Sequence, residues 1–91
     1  MTRDLAFTPR STRKHRVGRA RVRQAVYTAY VVAANGHGTN GDPLFLFLGD
    51  DNTGRALEVV AAETADGNLI VIHAMDLRPK YRKLYEQHRP R

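Results

Sequence analysis

Two short stretches hold most of the residues that could do chemistry. RKHR, residues 13–16, sets one histidine among three cations, and HAMDLRPKYRKLYEQ, residues 73–87, places Arg78, Lys80, Arg82 and Lys83 within six residues, interleaved with Tyr81 and Tyr85. A histidine in such company, His15 or His73, suits proton transfer as a neutral base near pH 7. Clustered guanidinium and ammonium groups suit phosphate oxygens. Arg55 is the single basic residue between positions 26 and 75, in a Gly-Arg step after DDNT. It can clamp a phosphate, or simply pair with Asp50 or Asp51 at the surface. Plainer uses exist for the others too. RKHR suits an exposed charged loop, and His73, which strict alternation puts on one face with Leu69 and Val71, suits a core histidine.

Other chemistries lack their residues. There is no cysteine, so neither a disulfide framework nor a thiolate metal site can form. The four histidines show no HxxxH or HxH spacing, and neither a metal nor a cofactor is expected. GHGTNG, residues 36–41, lacks the Gly-Lys-Ser/Thr ending and the following helix of a phosphate loop. Asp50-Asp51 reads as a hairpin turn.

The charge distribution suits a polyanion partner, or solubility alone. Net charge is +6, but residues 1–25 carry eight Arg and Lys against Asp4, and residues 76–91 carry six against Asp76 and Glu86. Between them, Arg55 alone faces six acidic residues. Two basic ends thus flank an acidic middle, and a fold that joins the ends makes one positive surface. Twelve of the fifteen cations are Arg, which fits phosphate recognition and equally a compositional bias. Hydrophobic content of 42 % over 91 residues is enough for one modest core, so a single domain over 1–91 is expected. No long apolar run suggests a membrane span or a signal-peptide core, and a cytoplasmic location is the expectation.

The elements that must position these residues follow from periodicity. Pro9 to Lys14 predicts a first helical turn, and Val22, Val26 and Tyr30 at helical spacing predict a helix over 18–29. YVVAA, PLFLFLG, RALEVVAAET and LIVIHA then read as four strands joined by Gly/Asn/Asp turns, an antiparallel meander. Pro79 opens a last helix on which Tyr81, Leu84, Tyr85 and His88 share a face. The predicted fold is α+β in two layers: a four-stranded antiparallel sheet packed with N-terminal helices and a C-terminal helix.

Taken together, RKHRV, the helix after it, the GRALEVV strand and the VIHAMDLRPKYRKLY ending resemble the small BrnT-like toxins of bacterial type II toxin–antitoxin systems, in the broader RelE-like ribonuclease superfamily. Those proteins carry Lys-His-Gly-Val before a helix, then a Gly-Arg turn, then a strand ending in a Ser-Ala-Arg-type segment and a Tyr-containing helix. The likeness covers about residues 7–87, with Arg16 where those proteins carry Gly. It implies an antiparallel sheet flanked by helices, metal-independent cleavage of mRNA, and a cognate antitoxin, in a homodimer or a toxin–antitoxin hetero-oligomer. Lys14, His15 and Arg55 match the motif residue by residue. On this reading His15 or His73 takes the 2′-hydroxyl proton while Arg55, Arg78 and Lys80 stabilise the transition state, and Arg13, Lys14, Arg16 and Tyr81 hold the RNA. The alternative is a non-catalytic RNA- or DNA-binding module with the same basic surface.

Overall fold

A computed structural model describes residues 5–90; Arg3, Asp4 and Arg91, counted above in the charged ends, lie outside the described residues. The elements are β1 (Leu5–Phe7), α1 (Pro9–Arg13), α2 (Arg19–Tyr27), β2 (Val31–His37), β3 (Pro43–Asp50), β4 (Ala56–Glu63), β5 (Leu69–Asp76) and α3 (Pro79–His88). The fold is α+β, but among the described residues the sheet has five strands rather than four and is mixed rather than antiparallel. Its order is β1-β5-β4-β3-β2, with β1 parallel to β5 and all other pairs antiparallel. The added strand, LAF, is three residues long, too short to show a period. Thr8 extends its pairing by one bond, donating its backbone N–H to the Val71 carbonyl at 3.1 Å. Pro9 then starts α1, because it has no N–H for a ladder and its fixed φ suits a first helical position.

The apolar run of β3 is explained by burial on both sides. Phe45 and Phe47 face α2, in a core with Val22, Ala25, Leu57, Val59, Ala61, Leu69 and Val71. Leu46 and Leu48 face the other way, under Tyr81, Leu84 and Tyr85 of α3, with Val31 and Leu77. Alternation therefore loses its polar half. α2 lies so close to β3 that a Cβ on Gly49 would stand 2.1 Å from the Ala25 carbonyl oxygen.

The turn residues Asp50 and Asp51 fasten the helices. Asp51 is buried and accepts hydrogen bonds from the Thr53 and Arg55 backbone N–H groups, the Thr53 hydroxyl and Arg21 Nε at 2.7 Å. Burial alone would raise its pKa, but the bonds from Thr53 and Arg21 outweigh that and hold it well below the usual carboxylate range. Asp50 accepts the Tyr85 and Tyr30 hydroxyls and Arg89 Nε, tying α3 to the sheet. Burial and the bond to Asp50 push the Tyr85 hydroxyl up to about 12. Tyr85 is thus part of the core.

Candidate active site at the open edge of β5

The site begins with an irregularity in β5. Val60 pairs with His73 and Ala61 pairs with Val71, so Ile72 is an extra residue on β5, a bulge. Alternation slips by one there. Leu69, Val71 and Ala74 face the α2 core, and His73 turns to the opposite face, beside Glu58 and Val60. This corrects the expectation from strict alternation that His73 shares a face with Leu69 and Val71. A bulge of one residue reverses every later side chain, and no residue type in LIVIHA announces it.

Behind His73 stands a buried carboxylate. Glu58 on β4 is 0 % exposed. It accepts the Arg78 backbone N–H at 2.9 Å, Arg78 Nε at 2.9 Å on Oε1, and Arg78 Nη2 at 2.7 Å on Oε2. Such a fork compensates a desolvated carboxylate. Burial would raise the Glu58 pKa, but the side-chain and backbone bonds from Arg78 outweigh it and keep the carboxyl below its ordinary value. Arg78 is held extended before Pro79, and this aims its backbone N–H at Glu58 as it caps α3. His73 Nε2 is buried and lies 3.4 Å from Glu58 Oε2. That separation suits an ion pair for a protonated ring but is too long for a good hydrogen bond. Burial lowers the His73 pKa, Glu58 pulls it up, and the charges of Arg78 and His15 lower it further; the net direction is down. His73 is held toward its neutral form.

In front of His73 stands the segment that links α1 to α2. β1 pairs with β5 only through Val71, so the β5 edge beyond it is open to α1 and the residues after it. His15 meets His73 there, ring centroids 5.7 Å apart and nearly perpendicular. Arg10 and Ser11 from α1, Lys14 just after it, and Ile72, His73 and Ala74 from β5 complete the walls of a cleft of about 310 Å³ with His15. Ser11 is buried and donates its hydroxyl to the Thr8 carbonyl at 2.7 Å, which fixes α1 against the strand end. Arg16, next in the chain, has φ 55°, in the left-handed region.

The remaining candidates lie elsewhere. Arg55 is 62 % exposed in its side chain, and its Nε stands 3.7 Å from Asp76, not from Asp50 or the Asp51 side chain; Arg21 approaches the same Asp76 carboxylate at 3.9 Å. Arg55 is not among the residues that line the cleft. Arg78 is close to His73 through Glu58, with its charge engaged there. Lys80 lies 4.9 Å above the Tyr81 ring, and Arg78 lies 5.7 Å from the same ring. Arg13 is exposed and folds back on α1, donating Nε to the Pro9 carbonyl at 3.0 Å. Arg10, Lys14 and His15 thus meet His73 in the cleft, and of the C-terminal cations Arg78 alone is shown close to it, paired with Glu58.

Two contributors escaped the sequence reading. Arg10 was one cation among eight. Glu58, by contrast, carried a signal: an acidic residue in the middle of ALEVVAA is rarely buried without a partner. Among the described residues no group of three or more His, Asp or Glu is arranged to hold a metal ion. Compared with family models, with curated proteins and with solved structures, the chain has no match in any of the three.

Proposed function

We propose that this protein is a metal-independent endoribonuclease, acting as the toxin of a toxin–antitoxin pair. The observation that carries the catalytic part is the cleft at the open edge of β5, where two histidines in ring contact are lined by Lys14 and Arg10. The toxin and antitoxin part rests on the sequence resemblance.

Such a set of groups suits transfer of a phosphate from the 5′ oxygen of one nucleotide to the 2′ oxygen of its neighbour. His73, held toward its neutral form by burial, takes the 2′-hydroxyl proton. Nε2 faces Glu58, so the proton moves at Nδ1. The 2′ oxygen bonds to phosphorus, the bond to the 5′ oxygen breaks, and that oxygen takes a proton from His15. The products are a 2′,3′-cyclic phosphate and a 5′-hydroxyl. Lys14 and Arg10, which line the cleft, supply charge to the crowded phosphate oxygens. Arg78 acts indirectly, by holding Glu58 behind His73. Arg55, Lys80, Arg13, Arg16 and Tyr81 belong to the surface the RNA crosses.

The test is digestion of labelled RNA by purified protein, with and without EDTA. The expected result is cutting that persists in chelator and leaves cyclic phosphate ends. His15→Ala and His73→Ala should each lower the rate by roughly 10²–10⁴-fold as general acid–base groups, and Lys14→Ala by about 10²-fold as a charge donor. RNA that is bound but uncut, with growth unaffected by strong expression, would leave the non-catalytic binding module.

A further inference from the structure

α3 does not cover its whole face of the sheet. Its apolar residues sit over Leu46, Leu48, Ala56 and Val60. Beyond them, Leu44, Ala62 and Ile70 form a row across β3, β4 and β5, paired directly strand to strand. Three neighbouring strands give a shelf roughly 10 Å wide, since strands lie about 4.8 Å apart. This is the floor of a second groove, of about 540 Å³. Thr8 and Ile72 bound it on one side and the end of β2 with the 38–42 loop on the other.

Three observations bear on what it takes. First, Ile72 lines both this groove and the histidine cleft, so the two adjoin at the bulge. Second, the loop is a built wall. The Gly38 N–H donates to the Asp42 carbonyl at 2.8 Å, the Gly41 N–H to the Gly38 carbonyl at 3.0 Å, and Asn40 and Asp42 bond each other through side chain and backbone. A Cβ on Gly38 would already touch Asn40 Oδ1 at 3.4 Å and Leu44 Cδ2 at 3.6 Å. Third, the charge changes sign along the path. The cleft offers Arg10 and Lys14, while the groove offers His37, Thr39, Asn40 and the Asp42 carboxylate around an apolar floor. A flat apolar floor with neutral and acidic hydrogen-bonding groups at its rim suits a nucleobase and repels a phosphate.

We propose that this groove is a base-binding subsite for a nucleotide next to the phosphate held in the histidine cleft, with Asn40 and Asp42 selecting the base edge. It rests on the ribonuclease reading for its position along the RNA, but base binding itself needs no cleavage. Asp42 as an acceptor favours a base that presents an exocyclic amino group, adenine, cytosine or guanine, over uracil. GHGTNGD, which as a sequence is only a Gly-rich loop, thereby gains a role.

The experiment is NMR titration of the isotope-labelled full chain with AMP, GMP, CMP and UMP separately. Amide shifts at Leu44, Ala62, Ile70 and residues 38–42 are expected, strongest for one of the amino-bearing bases. Leu44 belongs to neither core cluster, so Leu44→Asp should stay folded, retain its dispersed spectrum and bind that nucleotide roughly tenfold more weakly. Asn40→Ala should narrow the difference between the four nucleotides. Shifts confined to Arg10, Lys14 and His15, equal for all four, would overturn the subsite. Concentration-dependent shifts at the groove without nucleotide, unaltered by adding it, would also overturn it and mark a face for a second copy of the chain. Groove shifts in a protein that cuts no RNA would uphold base binding while removing the ribonuclease reading.

Discussion

Arg16→Gly should make the protein more stable and a poorer RNA binder at once. Arg16 is exposed and has φ 55°, a conformation in which an L residue brings Cβ against its own backbone. That costs about 1–2 kcal/mol for a non-glycine residue. Glycine relieves the strain but adds freedom to the unfolded chain, which takes back about 0.4–1 kcal/mol. The strain term is the larger, so the net gain is about 0.8 kcal/mol, or a rise of roughly 3–6 °C in Tm for a domain of this size. Arg16→Ala is the control, because it removes the same charge while keeping Cβ and the strain. Both variants should lose one phosphate contact, flattening the slope of log affinity against log salt by about 0.7 on single-stranded RNA. Thermal melts and RNA titrations at several salt concentrations measure the two effects. If Arg16→Gly melts no higher than Arg16→Ala, the strain is not there. If both keep the wild-type salt slope, Arg16 does not touch RNA. An arginine at a position that favours glycine, next in the chain to His15, fits backbone strain at a functional site.

Stability should fall in two stages on acidification. The folded state disfavours protonated His73, so the unfolded chain binds that proton first and stability drops as pH falls below about 6.5 toward the lower folded value; His73→Gln should flatten this stage in urea titrations between pH 8 and 5, and an unchanged profile would refute it. Glu58, Asp50 and Asp51 all have lowered values, so a second loss follows as pH falls below about 4.5 and the unfolded carboxylates protonate before the folded ones. Gly49→Ala should cost about 1–3 kcal/mol or more as an overpacked contact, because the new Cβ meets helix backbone that cannot rotate away; a wild-type urea midpoint would show that α2 shifts freely.

How much of this was legible depends on where each signal is stored. The four long strands and the helices from residues 19 and 79 follow from composition, turns and period, all local properties. β1 is not local. LAF pairs with LIV some sixty residues away, and three residues cannot display a pattern. The faces of β5 fail for a related reason. Periodicity assumes that no residue is inserted, and Ile72 is inserted. RKHR and the run after His73 were legible as candidates because unusual residue density marks them. Their meeting was not, since it needs both the bulge and the short first strand. Arg55 shows the opposite case. Its isolation in an acidic stretch is conspicuous, yet in the fold its guanidinium faces Asp76, which lies outside that stretch.

The position of Pro9 ties these features together. A β1 that continued past Thr8 would pair with the rest of β5 and close its edge, leaving His73 and Ile72 no access from that side. Proline prevents this, because a residue without an N–H ends the ladder and begins α1 in the same step. α1 is then only five residues long, and its end delivers Lys14 and His15 to the edge that the missing strand leaves open. The bulge supplies the other half by turning His73 away from the core. One proline and one inserted isoleucine thus create an accessible cleft on the β1 side of a sheet whose opposite edge is β2. Pro9→Val tests the first half without touching any side chain in the cleft. It restores a donor at a β-favouring residue, so amide exchange should slow along residues 73–75 as β1 lengthens, and RNA cutting should fall with it. Unchanged exchange with full activity would show that α1, held by Ser11 and the core, needs no proline to keep the edge open.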